Sequence, residues 1–322
     1  MQADRPAVSV VMPFLGSAEE ARSALAELSR LDLGPGDEII VADNSPVPVV
    51  AAAAGDGTLD SLRVVRADAQ RSPYYARNVG AEHASGEWIL YVDADCRPAP
   101  SLLGDFFLRP VADDVGALAG RIAPAAGQEA PMARWASSRG VLRQEHAIEL
   151  PGGPAAATAN LLVRRRAWAR VGGFHEGTGL AGTDHEFCWR VADAGWRIEF
   201  REEAIVEHLH RETLREVLAQ FSGYAAGDAW LNRRRPGGVP PKRPGRLLAR
   251  AAGGMVWFAV TGRFERAWMK GVDALVAVAQ AVGSLRGNAG PRDRLPEEAA
   301  EPDRSIVIAC DRFPLLTTQF IT

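Results

Sequence analysis

Four short runs of β-branched and aliphatic residues punctuate the first hundred residues, and three of them stop at a polar cluster. They are VSVVMPF (8–14), EIIVA (38–42), LRVV (62–65) and WILYV (88–92). Helical patterns separate them at 18–31 and 73–84, the second opened by Pro73, a residue suited to the first helical position. Continuous apolar runs alternating with helices specify an α/β chain, its mostly parallel sheet covered by helices. After that the alternation loosens. Segments 116–122, 160–163, 196–200 and 204–208 read as strands. Segment 183–194 reads as a helix with Thr183 as N-cap, Glu186 at the capping-box position and Gly195 as its stop. Three more helices are expected at 213–232, 247–260 and 265–285.

Composition narrows the function classes. With 322 residues, 47% of them hydrophobic, the chain can bury a large core. A net charge of −3 argues against a nucleic-acid binder, which carries a basic excess. Cys96, Cys188 and Cys310 are odd in number and widely spaced, so neither a disulfide framework nor a structural zinc site is expected, and a reducing cytoplasm fits. The first residues run directly into the first strand without a basic segment and an apolar core, so no signal peptide is expected. No apolar run reaches the ~18 residues of a spanning helix.

Open parallel sheets bind ligands at the carboxyl ends of their strands. Three acids fall there: Asp43 after the second run, and Asp93 and Asp95 after the fourth. In YVDAD one residue separates the carboxylates, and a loop can bend both toward one hard cation. Such a cation neutralises charge on a diphosphate. A D-x-D triplet in isolation is a common solvated loop; its place directly after an apolar strand gives it weight. No GxGxxG follows the first strand, which excludes a dinucleotide-dependent dehydrogenase, and no glycine-rich, lysine-containing segment follows it, which argues against a nucleotidyltransferase.

Taken in order, VVMPFLG, VADNS, SPYYARNVGAEHASGEWILYVDADC, VGGFHEG, GTDHEFCWRVADAGW and IVEHLHR resemble the motifs of family-2 glycosyltransferases, between residues 8 and 285. The resemblance implies a GT-A fold and inverting sugar transfer from a UDP- or dTDP-type donor to an acceptor hydroxyl, assisted by Mn²⁺ or Mg²⁺. By the same resemblance Pro13 and Phe14 line the nucleotide pocket and Asp43 contacts the base or ribose. Arg71, Arg77 and Asn78 border the nucleotide and phosphates, Asp93 and Asp95 hold diphosphate and metal, and Ala94 lines the nucleotide-sugar site between them. Asp184 is the expected general base and His208 the third metal ligand; Glu186 and Asn160 shape the sugar pocket. Several of these have plainer readings: Arg71 and Arg77 as helix-surface ion pairs, Asp43 as a turn-former before Pro46, and Trp189 and Trp196 as core. His210 shares a face with His208, so a structural role for either stays open. The family usually carries an acidic pair where this chain has Thr183 and Asp184. That departure keeps a second reading alive, a catalytically degenerate binding or scaffold module.

Three regions are expected: a catalytic domain over 1–232, a basic linker with helices over 233–286, and a flexible linker with a strand-like stub over 287–322. The last eighteen residues, SIVIACDRFPLLTTQFIT, resemble the opening of a GT-B-type transferase, implying a fused second domain. The arginines of 233–250 beside apolar helix faces suit peripheral contact with the inner face of a membrane or a lipid-linked acceptor. The acceptor class, whether glycan, lipid-linked or small molecule, stays open.

Overall fold

The computed structural model describes residues 5–54, 61–145, 149–176 and 181–286. One eight-stranded sheet organises them. Its strands are β1 (Val8–Phe14), β2 (Glu38–Asp43), β3 (Leu62–Arg66), β4 (Trp88–Tyr91), β5 (Cys96–Pro98), β6 (Val115–Pro124), β7 (Leu161–Arg164) and β8 (Arg197–His208), in the order β3-β2-β1-β4-β7-β6-β8-β5. The helices are α1 (Ala18–Leu28), α2 (Val50–Ala54), α3 (Pro73–Glu82), α4 (Leu102–Asp105), α5 (Pro131–Ser138), α6 (Arg165–Val171), α7 (Thr183–Asp193), α8 (Leu214–Arg234), α9 (Pro244–Val260) and α10 (Phe264–Arg286).

The expected parallel sheet holds from β3 through β4, which the βαβ spacing dictates. Beyond β4 the sheet is mixed: β7 runs antiparallel to both β4 and β6, and β5 antiparallel to β8. Two expected strands at 196–200 and 204–208 are one long strand, β8, whose register against β6 shifts between Gly120 and Arg121. A bulge there interrupts the two-residue alternation, which is why the sequence reads as two pieces.

The apolar runs follow from burial on both sides. Val8, Val10, Met12 and Phe14 of β1 join a core with α1, while Val11 joins a second core with α3, α6 and α7. Local chemistry sets the helix starts. Ser17 Oγ accepts from Glu20 N–H at 3.2 Å and Glu20 Oε2 accepts from Ser17 N–H at 2.7 Å, a complete capping box for α1. Pro73 opens α3, as the sequence predicts, and Ser72 caps it. α3 then crosses β1 closely: a Cβ on Gly80 would run into Val11 Cγ1, so glycine allows the approach.

α10 packs against α8 and α9, and Val272 and Val276 share a core with Met132 and Trp135 of α5 and Val217 of α8. The expected linker and GT-B-like stub over 287–322 lie outside the described residues.

Candidate active site

β1 and β4 are adjacent while β2 and β3 lie to one side of them, so the strand order turns back between β1 and β4. In an open sheet that turn opens a crevice at the strands' carboxyl ends. Asp93 and Asp95 follow β4 at this place. Arg77, buried on α3, donates from Nη2 to Asp93 Oδ1 and lies over the Tyr74 ring, 5.3 Å from its centroid. The helix-surface reading of Arg77 is therefore excluded. Asp95 faces the end of β8, because Cys96 pairs with His208 across the β5–β8 ladder and Leu209 N–H donates to Asp95 O at 2.9 Å. His208 Nε2 is 3.3 Å from Asp95 Oδ1, and the Arg211 guanidinium is 3.2 Å from Asp95 Oδ2.

Asp184 enters from α7. Gly182, at φ 89°, is the N-cap in place of the expected Thr183, and its left-handed turn is what glycine accommodates. Thr183 is instead the first helical residue, fully buried, with its side chain hydrogen-bonded to the Tyr74 hydroxyl. The capping box is absent for the same reason. Asp184, half-buried in the first turn, has a charge favoured by the helix dipole.

Two tyrosines show that these groups converge. Burial raises the Tyr74 hydroxyl well above its ordinary pKa, and Asp184 and Asp93 push it further. Burial likewise raises Tyr224 of α8, and Asp184 and Asp95 add to that. Asp184 and Asp93 thus both act on the Tyr74 hydroxyl, and Asp184 and Asp95 both act on Tyr224, which puts the three carboxylates in one neighbourhood. Neither tyrosine nor Arg211 stood out in the sequence; only packing against distant strands brings them here.

Other expected residues have their side chains committed elsewhere. Asp43 is fully buried: burial raises its pKa, but hydrogen bonds from the Ser45, Val50 and Val49 amides outweigh this and hold it below the carboxylate range. Arg66 lies 3.2 Å from the same carboxylate. The turn-forming reading is thus realised, with Asp43 shaping the loop at the end of β2. Pro13 is half-buried, while Phe14 packs into the core on the α1 face. Asn78 Nδ2 donates to Phe174 O at 2.8 Å and Glu176 Oε1 at 2.7 Å, and its Oδ1 accepts from Phe174 N–H at 2.8 Å. It clamps the Gly173–Phe174 turn instead of reaching toward phosphates. Asn160 Nδ2 donates to Arg121 O and Ala204 O, both at 2.9 Å, stitching β6 to β8. Glu186 is held bidentately by Arg190, with Arg234 at 3.6 Å. Arg71 is exposed at the start of α3. Trp189 is buried with Trp230, Leu231 and Val239, and half-buried Trp196 packs on the α3-side core.

Donor chemistry decides whether the site fits a cation. Asp95, Cys96 and His208 offer ligand atoms within 4.8 Å of one another. Burial raises the Cys96 thiol well above its ordinary value, with Asp93 and Asp95 adding to it, and the thiol donates to Ala159 O at 3.8 Å. Cys96 is thus a poor ligand. Carboxylate and imidazole remain, a mixed oxygen and nitrogen set that fits a divalent cation. His208 Nδ1 is buried without a hydrogen-bond partner. Burial, with a smaller contribution from neighbouring His208, lowers His210 to about 4, so it is neutral near pH 7.

Comparison with known proteins gives the same family. Two pre-mycofactocin glycosyltransferases, from Mycobacterium tuberculosis strains CDC 1551 and H37Rv, are each 31% identical over 242 residues, covering 73% of this chain and 49% of theirs. The chain therefore spans about half the length of these relatives. Glycosyltransferase AglE of Haloferax volcanii is 28% identical over 222 residues, covering 65% of this chain and 68% of its own. A solved mannosyltransferase of Pyrobaculum calidifontis, in complex with GDP-Man and Mn²⁺, shares the fold: TM-score 0.62, 19% identity and 88% coverage of both chains. The glycosyl transferase family 2 model matches residues 9–169. Matched over half its length by that model, the chain belongs to glycosyl transferase family 2.

Proposed function

We propose that this protein is an inverting glycosyltransferase that moves a sugar from a nucleotide-diphosphate donor to an acceptor hydroxyl. The observation that carries this is the pair of loop carboxylates after β4, Asp93 held by Arg77 and Asp95 beside His208 and Arg211, with Asp184 in the first turn of α7. Asp184 takes the proton of the acceptor hydroxyl. The freed oxygen pair forms the new bond to the anomeric carbon, and the bond to the diphosphate oxygen breaks with its electrons leaving on the diphosphate. Arg77 and Arg211 supply guanidinium groups whose paired donors suit phosphate oxygens. Asp95 and His208 would hold a divalent cation, with Asp93 beside them; when bound, it offsets charge on the leaving diphosphate. The sequence motifs suggest a UDP- or dTDP-type donor; the Pyrobaculum neighbour's GDP-Man adds a guanine nucleotide to the donors tested. The acceptor is a glycan, lipid-linked or small-molecule hydroxyl.

Release of nucleoside diphosphate from a panel of UDP-, dTDP- and GDP-sugars, with Mn²⁺ or with EDTA, tests the reading. One donor should turn over with metal and fall to background with EDTA and in Asp95→Ala. Equal turnover in Asp95→Ala, or none from any donor in the presence of acceptor hydroxyls, would contradict it.

A further inference from the structure

α9 is a largely apolar helix, yet of its seventeen residues only Ala251 is buried. Its outer side continues through the turn into α10 and leaves Met255, Val256, Trp257, Val260, Phe264 and Trp268 exposed, with Trp257 at 64%, Val260 at 81% and Phe264 at 73%. Leu275, Val278, Val282 and Leu285 extend the exposure along α10. With Phe264 and Trp268 they recur at helical spacings and form one stripe. A contiguous apolar surface of this kind marks a contact with something else.

Charge decides what that is. Residues 233–286 carry eleven lysines and arginines against two acids, Glu265 and Asp273, in a chain whose net charge is −3. Both acids are already engaged: Glu265 with Arg134, Asp273 with Arg139 and Lys270. Arg243, Arg246, Arg250 and Arg263 are exposed, and none has an ion pair among the described residues. A symmetric contact with a second copy would set this basic surface against itself. An apolar protein groove would leave the guanidiniums without counter-charge. An anionic lipid surface takes both features: aromatic and aliphatic side chains enter the acyl boundary while arginines meet headgroup phosphates. Among the described residues no helix is long and apolar enough to cross a membrane, so contact would be along one face.

We propose that the α9–α10 hairpin is a docking surface for an anionic bilayer, seated through Trp257, Val260, Phe264 and Trp268. It does not rest on the transfer reaction. The hairpin is braced to the rest of the molecule, since Asp273 accepts from Trp135 Nε1 at 2.9 Å and α10 packs on α8, which carries Tyr224. Docking therefore holds the candidate site at a fixed orientation to the lipid.

The test is sedimentation of the full chain with vesicles of phosphatidylcholine alone or mixed with phosphatidylglycerol, at low and high salt. Anionic vesicles should bind it and neutral ones should not, with binding weakened by salt. Trp257→Ser/Phe264→Ser and Arg246→Glu/Arg250→Glu should each lower the affinity about tenfold or more. Both should melt and turn over soluble donor like wild type, because the residues are exposed and none belongs to the candidate site. Absence of binding to anionic vesicles, equal binding to neutral ones, or wild-type binding by both variants would overturn the proposal. So would a lipid-free dimer that Trp257→Ser/Phe264→Ser dissolves, which would assign the face to a second copy. None of these results bears on nucleotide-sugar turnover.

Discussion

Asp184 and Asn78 both belong to motifs shared with the family, and their substitution should have opposite consequences. Asp184→Asn removes the proton acceptor while keeping the side chain's size. Transfer should fall about 10²–10⁴-fold, with nucleotide-diphosphate affinity and melting temperature unchanged; a wild-type initial rate would show that the base lies elsewhere. Asn78→Ala removes three hydrogen bonds from the Phe174–Glu176 turn. It strands buried backbone groups at a cost of about 1–3 kcal/mol, visible as a lower melting temperature. Arg77 and Asn78 are neighbours in sequence, yet successive helical residues point about 100° apart. One therefore meets Asp93 while the other meets the turn. The motif could be read from the sequence, but that division of labour depends on where α3 lies. Glu186 illustrates the same limit: two residues from Asp184, it faces Arg190 and Arg234 instead.

At the scale of elements, Asp273 ties α10 to α5. It accepts from Trp135 and Arg139 and is paired with Lys270. Burial raises its pKa, but these partners outweigh that and hold it below the usual carboxylate value. Asp273→Ala should cost about 1–3 kcal/mol, measured by denaturant unfolding. Because the folded carboxyl is the more acidic, its contribution is fully present above the unfolded value of about 4 and is lost as pH falls through the folded value. The stability gap between wild type and Asp273→Asn should therefore close below about pH 4. A gap constant over that range would contradict the assignment. The long periodic helices α8, α9 and α10 were legible because their patterns persist over many turns. The short α5 and α6 were not, since seven or eight residues carry too few periods. In the sequence β8 reads as two strands because its bulge resets the alternation.

Across the whole molecule, the parallel strands from β3 to β4 and the acids at their ends were readable because each strand is a local apolar run. Pairing of β7 with β4 and of β5 with β8 joins segments far apart in sequence, with no local signal for direction. For that reason nothing local marks Tyr224 as a site residue, and Arg211, in the same motif as His208, gains its role only from the packing of β8 against β5. A metal-assisted diphosphate site at Asp95 has a direct readout in thermal unfolding with UDP, dTDP, GDP and CDP. Each nucleotide is added with Mn²⁺ or EDTA to wild type and Asp95→Ala. One nucleotide at ~100 times its dissociation constant should add about 2.7 kcal/mol with metal present, and the gain should vanish with EDTA and in Asp95→Ala. No shift in wild type with any nucleotide, or the same shift with EDTA and in Asp95→Ala, would contradict it.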